Sequence, residues 1–227
     1  ALLAHLRSSC GDKISAFEII SRSSLELVFE HIPDTQEPLP AQHAWIILTE
    51  LTDTLPAALD GALRDALQSF GTGITDSRVT ADKEQADAWW KLRKNISEAQ
   101  KREGLSIKHD VAVPVSRVAE FLERADAALL KAHPGIRIVA FGHMGDGNIH
   151  FNLEQPVDAD PTWFLAQDHA IMDEVNEVVR TFDGSFSAEH GIGKLKPYMM
   201  PDWRGGAELA LMQRIKAALD PRGIMNP

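Results

Sequence analysis

The stretch FGHMGDGNIHFN, residues 141–152, constrains this chain more than any other. It sets an Asp-Gly pair, Asp146 and Gly147, between two arms of alternating character. Asp-Gly favours a two-residue type I′ turn, because both central positions of that turn need φ > 0. The expected antiparallel register then opposes Gly145 to Asn148, Met144 to Ile149 and His143 to His150, with Phe141 facing Asn152. Side chains alternate along a strand, so His143, His150, Phe141 and Asn152 share one face. Opposed Cβ atoms stand roughly 4.5–5.5 Å apart, a spacing that lets two imidazoles converge on one metal ion.

The chain has nine histidines, and a solitary one such as His5, His31, His43, His133 or His169 reads as an ordinary surface or core residue. The pair across the hairpin differs, because its register brings two ligands to one point. Two ligands do not close a metal site: a catalytic zinc takes three from the protein and keeps one position open. The third is expected from GSFSAEHGIGKLK, residues 184–196, in the form of Glu189. His190, its neighbour, points the other way in an extended segment. A histidine titrates near neutrality, which makes His190 the candidate base. The glycines after it lack the full phosphate-loop pattern, so nucleotide binding is not expected there.

Strand and helix patterns alternate along the rest of the chain. SAFEII, AWIILTEL, GITDSRVT, SIKHDVAVP and the two hairpin arms read as strands. SLELVFEHI, LPAALDGALRDALQSFG, VSRVAEFLERADAALLKAHPG and AELALMQRIKAALDP read as helices. Residues 81–104 read as one long helix, on which Trp90, Arg93 and Ser97 fall at i, i+3 and i+7 and share a face. Arg93 suits a bidentate pair with a substrate carboxylate, with Ser97 beside it. Lys108 alternates with Asp110 on the following strand. DADPTWFLAQDHAIMDEVNEVVRTFDG reads as a further helix, with Asp160 the expected N-cap, Pro161 the first helical residue and its end near Gly184. An α+β architecture follows, a mostly antiparallel sheet with helices packed on one face. The 227 residues read as one domain.

Composition narrows the partners. Lys plus Arg number 23 and Asp plus Glu 33, a net charge of −10 that disfavours nucleic acid and anionic membranes. No apolar run approaches the roughly 20 residues of a membrane-spanning helix. Cys10 is the only cysteine, so neither a disulfide framework nor a cysteine metal cluster is available. No signal peptide is visible, and the expected compartment is the cytoplasm.

Taken together, GHMGDGNIHFN, SAEHGIGKLK and the closing DPRGIMNP resemble the C-terminal domain of the FAD-linked oxidases. The resemblance runs from the SAFEII strand to the end of the chain. It implies a ferredoxin-like substrate cap of a vanillyl-alcohol-oxidase-type flavoprotein. It further implies that His143, His150 and Glu189 hold a divalent metal, with zinc the expected ion. His190 would be the base beside the flavin, Arg93 and Asn152 would contact substrate, and Asn226 would return toward FAD. The implied activity is oxidation of a D-2-hydroxy acid to the 2-oxo acid, with D-2-hydroxyglutarate favoured over D-lactate or glycolate. Lys108 would be the second cation that a dicarboxylate needs. Nothing in the chain looks like an FAD-binding domain, so it reads as part of a longer protein and is expected to lack turnover alone. The electron acceptor is not identified by the sequence, and a homodimer is compatible with it. A stand-alone metallohydrolase and a dimerisation module are the competing readings.

Overall fold

The computed structural model describes residues 1–54, 58–71 and 73–225. The chain forms two compact units, Ala1–Ala188 and Glu189–Pro227. In the first, α1 (Leu2–Cys10) precedes β1 (Ile14–Ser21), α2 (Arg22–His31) and β2 (Trp45–Leu51). Three helices follow: α3 (Leu59–Phe70), α4 (Lys83–Lys94) and α5 (Ile96–Glu103). Then come β3 (Ser106–Ile107), β4 (Asp110–Ala112), α6 (Val118–Ala132), β5 (Arg137–Gly142) and β6 (Asn148–Glu154). The unit closes with α7 (Pro161–Ala166) and α8 (Asp168–Arg180). The second unit contains α9 (Met200–Arg204) and α10 (Ala207–Leu219).

All the strand pairs are antiparallel, in the order β2-β1-β5-β6-β3, with β4 also on β6. The α+β expectation holds, but the helices cover both faces of the sheet rather than one. On one face, Ile20, Val139 and Phe141 join Leu25 and Val28 of α2, Leu92 of α4, and Ile96 and Ala99 of α5. On the other, the Phe121 ring of α6 meets Phe151 of β6 edge-on at 5.9 Å and Phe182 at 5.8 Å. Phe17 packs at one end of that face with Leu3, Leu6 and Cys10 of α1 and Ala66 of α3. This double covering explains β6, in which all seven residues are buried. Its alternation of polar and apolar residues therefore marks two buried faces, not an inside and an outside.

Several expected elements are divided or absent. GITDSRVT forms no strand. The long helix breaks at Asn95, whose side-chain amide donates to the Lys91 carbonyl at 2.8 Å. A short amide side chain competing for a backbone carbonyl is a familiar cause of such breaks. SIKHDVAVP splits into β3 and β4 around Lys108 and His109. Asp160 caps α7 as expected, accepting from the Trp163 N–H at 2.9 Å, and Pro161 opens the helix. The expected run to Gly184 is divided at Gln167, whose N–H turns to the Phe164 carbonyl at 3.0 Å, and α8 ends at Arg180. The helix expected over LPAALDGALRDALQSFG begins at Leu59, and its first residues, 55–57, lie outside the described residues.

In the second unit the turn after α10 is built on Asp220. Its carboxylate accepts from the backbone N–H groups of Ile224 (2.9 Å) and Met225 (3.0 Å). Lys216 donates to it at 2.5 Å, and this contact holds the carboxyl below its ordinary range. Leu211, Met212, Ile215 and Leu219 form an exposed apolar stripe along α10.

Phe151 is fully buried and anchors the sheet to α6. Phe151→Ala should therefore cost about 3–5 kcal/mol, as aromatic truncations in a packed core do. A denaturant titration would show this as a lower midpoint at unchanged slope. A loss below about 1 kcal/mol would mean that the ring does not hold the two layers together.

Candidate functional site

The hairpin carries the expected residues on the expected face, but its turn is longer. Phe141 opposes His150 and Val139 opposes Asn152, a register two positions away from that of a two-residue turn. Residues 143–147 form the connection. Its geometry is fixed from outside the hairpin: the Gly145 N–H donates to the Phe17 carbonyl at 3.0 Å, and Val113 donates to the Gly147 carbonyl at 3.1 Å. Gly147 has φ 84°, and a Cβ there would lie 2.0 Å from the Val113 carbonyl oxygen. The Asp146 side chain accepts from the Asn148 N–H at 3.0 Å. These contacts outweigh the local preference for a tight type I′ turn. A shift by two residues preserves faces, so His143, His150, Phe141 and Asn152 keep a common side. The His143 and His150 rings are edge-on, with centroids 6.2 Å apart.

Two carboxylates that the hairpin pattern did not point to stand beside these histidines. Glu18 of β1, 4% exposed, accepts from His143 Nδ1 at 2.7 Å and from Arg93 Nε at 2.7 Å. Asp110 of β4 pairs in register with His150, and its Oδ1 lies 4.0 Å from His150 Nδ1. Asp110 Oδ2 also accepts from the Ala188 N–H at 3.1 Å. The donor set suits a divalent metal. Glu18 orients the His143 ring through Nδ1, the kind of outer contact that steadies an imidazole. His150 and Asp110 offer the mixed nitrogen and oxygen donors that zinc, manganese, iron or cobalt accept.

Arg93 lies with its guanidinium 4.8 Å from the Phe141 ring centroid. Its Nε is committed to Glu18, and its two terminal nitrogens make no hydrogen bond to the described residues. That is the edge a carboxylate would take in a two-point pair. Trp90, one turn back, donates instead to Glu50 at 2.6 Å. Ser97 is exposed near the start of α5, beyond the break at Asn95. Lys108 is exposed between β3 and β4. Asn152 is 4% exposed, accepts from the His109 N–H at 3.1 Å and donates to Gln100 at 3.0 Å. Glu189 and His190 open the second unit and lie 3.5 Å apart, His190 Nε2 to Glu189 Oε1; the segment is bent rather than extended, so the two side chains meet instead of pointing to opposite faces. Asn226 lies outside the described residues.

A second group of metal-type donors, Glu30, His31 and Glu103, lies on the α2–α5 side. His31 and Arg137 both bond Glu103 there, and these two contacts hold its carboxyl below the ordinary range. Its charge is already neutralised by protein, so the group is an ion-pair cluster.

The family model for FAD linked oxidases, C-terminal domain, matches residues 1–227, and the chain belongs to that family. A D-2-hydroxyglutarate dehydrogenase of Xanthomonas citri pv. viticola is 34% identical over 218 residues, covering 95% of this chain and 45% of that protein. The mitochondrial D-2-hydroxyglutarate dehydrogenase of Arabidopsis thaliana is 30% identical over 234 residues, covering 100% of this chain and 39% of its own length. The chain thus spans less than half the length of these relatives. Among solved structures, a 4-ethylphenol oxidase from Gulosibacter chungangensis in an isoeugenol complex superposes with a TM-score of 0.56. It is 16% identical and is covered over 46% of its length against 93% of this chain, a likeness of fold.

Glu154 is the other notable group on this sheet face. It is fully buried, and burial pushes its carboxyl from 4.5 up to about 7. The unfolded chain releases this proton above about 4.5, whereas the folded chain keeps it to about 7. Its protonation therefore favours the folded state at low pH, and that contribution is lost as pH rises through this window. Stability should fall by up to about 3 kcal/mol between pH 5 and pH 8. In Glu154→Gln the fall should shrink to the smaller part left by Asp126, whose carboxyl burial likewise raises, from 3.8 to about 6, as denaturant midpoints at the two pH values would show. An equal fall in the variant would assign it to other groups.

Proposed function

We propose that this chain is the substrate-binding part of an FAD-dependent D-2-hydroxyacid dehydrogenase acting on D-2-hydroxyglutarate. The observation that carries the reading is Arg93, aimed by Glu18 so that its two terminal nitrogens stay available, on the sheet face that bears His143 and His150. An α-hydroxy carboxylate matches that arrangement: a carboxylate for the guanidinium, and an adjacent hydroxyl for a basic or metal-bearing group. The names of the bacterial and plant relatives support the choice of D-2-hydroxyglutarate.

On this reading, FAD supplies the hydride acceptor when bound, and a divalent metal, zinc being our choice, supplies Lewis acidity. Arg93 holds the C1 carboxylate and so orients the C2–H bond. His150 and Asp110 supply metal donors, with His143 steadied by Glu18. Glu189 as a further ligand and His190 as the base for the C2 hydroxyl proton rest on the SAEHGIGKLK pattern. Lys108 and Ser97 take the distal carboxylate, Asn152 donates to a substrate oxygen, and Asn226 meets the flavin. The cytoplasm remains part of the proposal for the compartment, whereas the plant relative is named as mitochondrial.

Two experiments on the full-length protein test this. Lys108→Ala should lower kcat/KM for D-2-hydroxyglutarate roughly 10- to 150-fold, the worth of one charge-assisted hydrogen bond of about 1.5–3 kcal/mol. D-lactate, which has no second carboxylate, should be much less affected. Equal losses on both acids would sink the dicarboxylate assignment and leave D-lactate as the better substrate. Separately, His150→Ala should abolish stoichiometric divalent metal while the protein stays folded. Unchanged metal content by elemental analysis would remove His150 from the ligand set.

A further inference from the structure

We infer that Gln100 and Glu154 are positioning residues that fix the orientation of the Asn152 amide, so that it offers substrate an N–H rather than a carbonyl oxygen. This rests on the reading of Asn152 as a substrate contact. One end of the relay is a donor of fixed identity. The His109 backbone N–H donates to Asn152 at 3.1 Å, which makes the facing atom Oδ1. The other end of the amide is then Nδ2, and one of its hydrogens goes to Gln100 Oε1 at 3.0 Å. With its oxygen engaged, Gln100 turns Nε2 to Glu154 Oε1. A side-chain amide has one accepting end and one donating end, so each link dictates the next. The direction of the relay is set by its ends, a backbone N–H and a carboxyl oxygen.

Burial makes the relay decisive. Gln100 and Glu154 are fully buried, His109 is 3% exposed and Asn152 4%. At such depth, reversing one amide would set donor against donor and acceptor against acceptor. A mismatch of that kind between buried groups is expensive. Asn152 keeps one amide hydrogen that no described residue accepts. Such a donor takes an oxygen, either the hydroxyl or a carboxylate oxygen of a 2-hydroxy acid.

The charged groups around Glu154 come from three places: Arg137 on β5, Lys108 between β3 and β4, and Glu103 on α5. Glu154 Oε2 has no hydrogen-bond partner among the described residues, so a proton is accommodated there while Oε1 still accepts from Gln100. The relay therefore keeps its direction in both ionisation states of Glu154.

The test uses the full-length protein. Gln100→Met and Glu154→Leu cut the relay and should each lower kcat/KM for D-2-hydroxyglutarate about tenfold, chiefly through KM. Glu154→Gln retains an oxygen acceptor and should stay within about twofold of wild type. In an Asn152→Ala background, Gln100→Met should add less than about twofold, because both act through one amide. Fully additive losses would overturn the proposal. A readout that needs no turnover is hydrogen exchange at the His109 amide. It should accelerate in Gln100→Met and hold steady in Glu154→Gln, with the α6 amides unchanged in both. If the enzyme oxidises no D-2-hydroxy acid, the substrate reading fails, and the exchange rates still decide the relay. Should the relay-breaking variants not fold, a neutron structure of the wild type decides it. Deuterium on the Asn152 and Gln100 atoms named here as nitrogens supports the relay, and the reverse orientation overturns it.

Discussion

The burial of β6 on both sides is the constraint from which the rest of the site follows. Its apolar row, Ile149, Phe151 and Leu153, is fully buried and pays for the fold. Its polar row, Asn148, His150, Asn152 and Glu154, is buried almost as deeply. Polar groups withdrawn from water must find partners, so this row dictates what its neighbours can be. Asp110 stands beside His150, Gln100 reaches both Asn152 and Glu154, and the backbone of His109 completes the Asn152 oxygen. A stretch of sequence that looks half-exposed is in fact a polar seam inside a three-layer unit.

Glu18 plays the corresponding part for the two cationic or metal-type side chains. One carboxylate bonds Arg93 from α4 and His143 from the hairpin loop. Both links are short, and the Arg93 side chain is nearly as sheltered as Glu18 itself. A shared acceptor of this kind couples the geometry of two residues that are 50 positions apart in the chain. Nε is thus used for structure, and the two terminal nitrogens stay available for the carboxylate of the proposed substrate.

What was legible in the sequence was local. The hairpin, its common face, the Asp160 cap and the α+β alternation all depend on residues close together, where periodicity and turn chemistry speak directly. The turn length was not legible, because Phe17 and Val113 set it from elsewhere in the chain. The break at Asn95 left a weak local sign, an Asn in mid-helix, that the helix-favouring residues on either side concealed. The second helical layer was hidden by β6, whose polar alternation imitates a solvent face. Glu18 and Gln100 carried no motif, since their partners lie 75 and 54 positions away. Asp110, noted only as alternating with Lys108, gained its meaning from pairing with His150.

The pairing of β1 with β5 has a consequence for how the chain reaches this state. Ile19 meets Gly142 and Ile20 meets Phe141, so the central seam joins residues more than a hundred positions apart. During synthesis, β1 and β2 leave the ribosome as a pair long before β5 exists. Until then β1 shows an unsatisfied edge with apolar residues on both sides, the kind of surface that invites pairing with another chain. Closure of so distant a contact is also slow for reasons of loop entropy. The vulnerable period of this protein is therefore the interval between the emergence of SAFEII and that of RIVAFG, the window in which a chaperone would have most to shield.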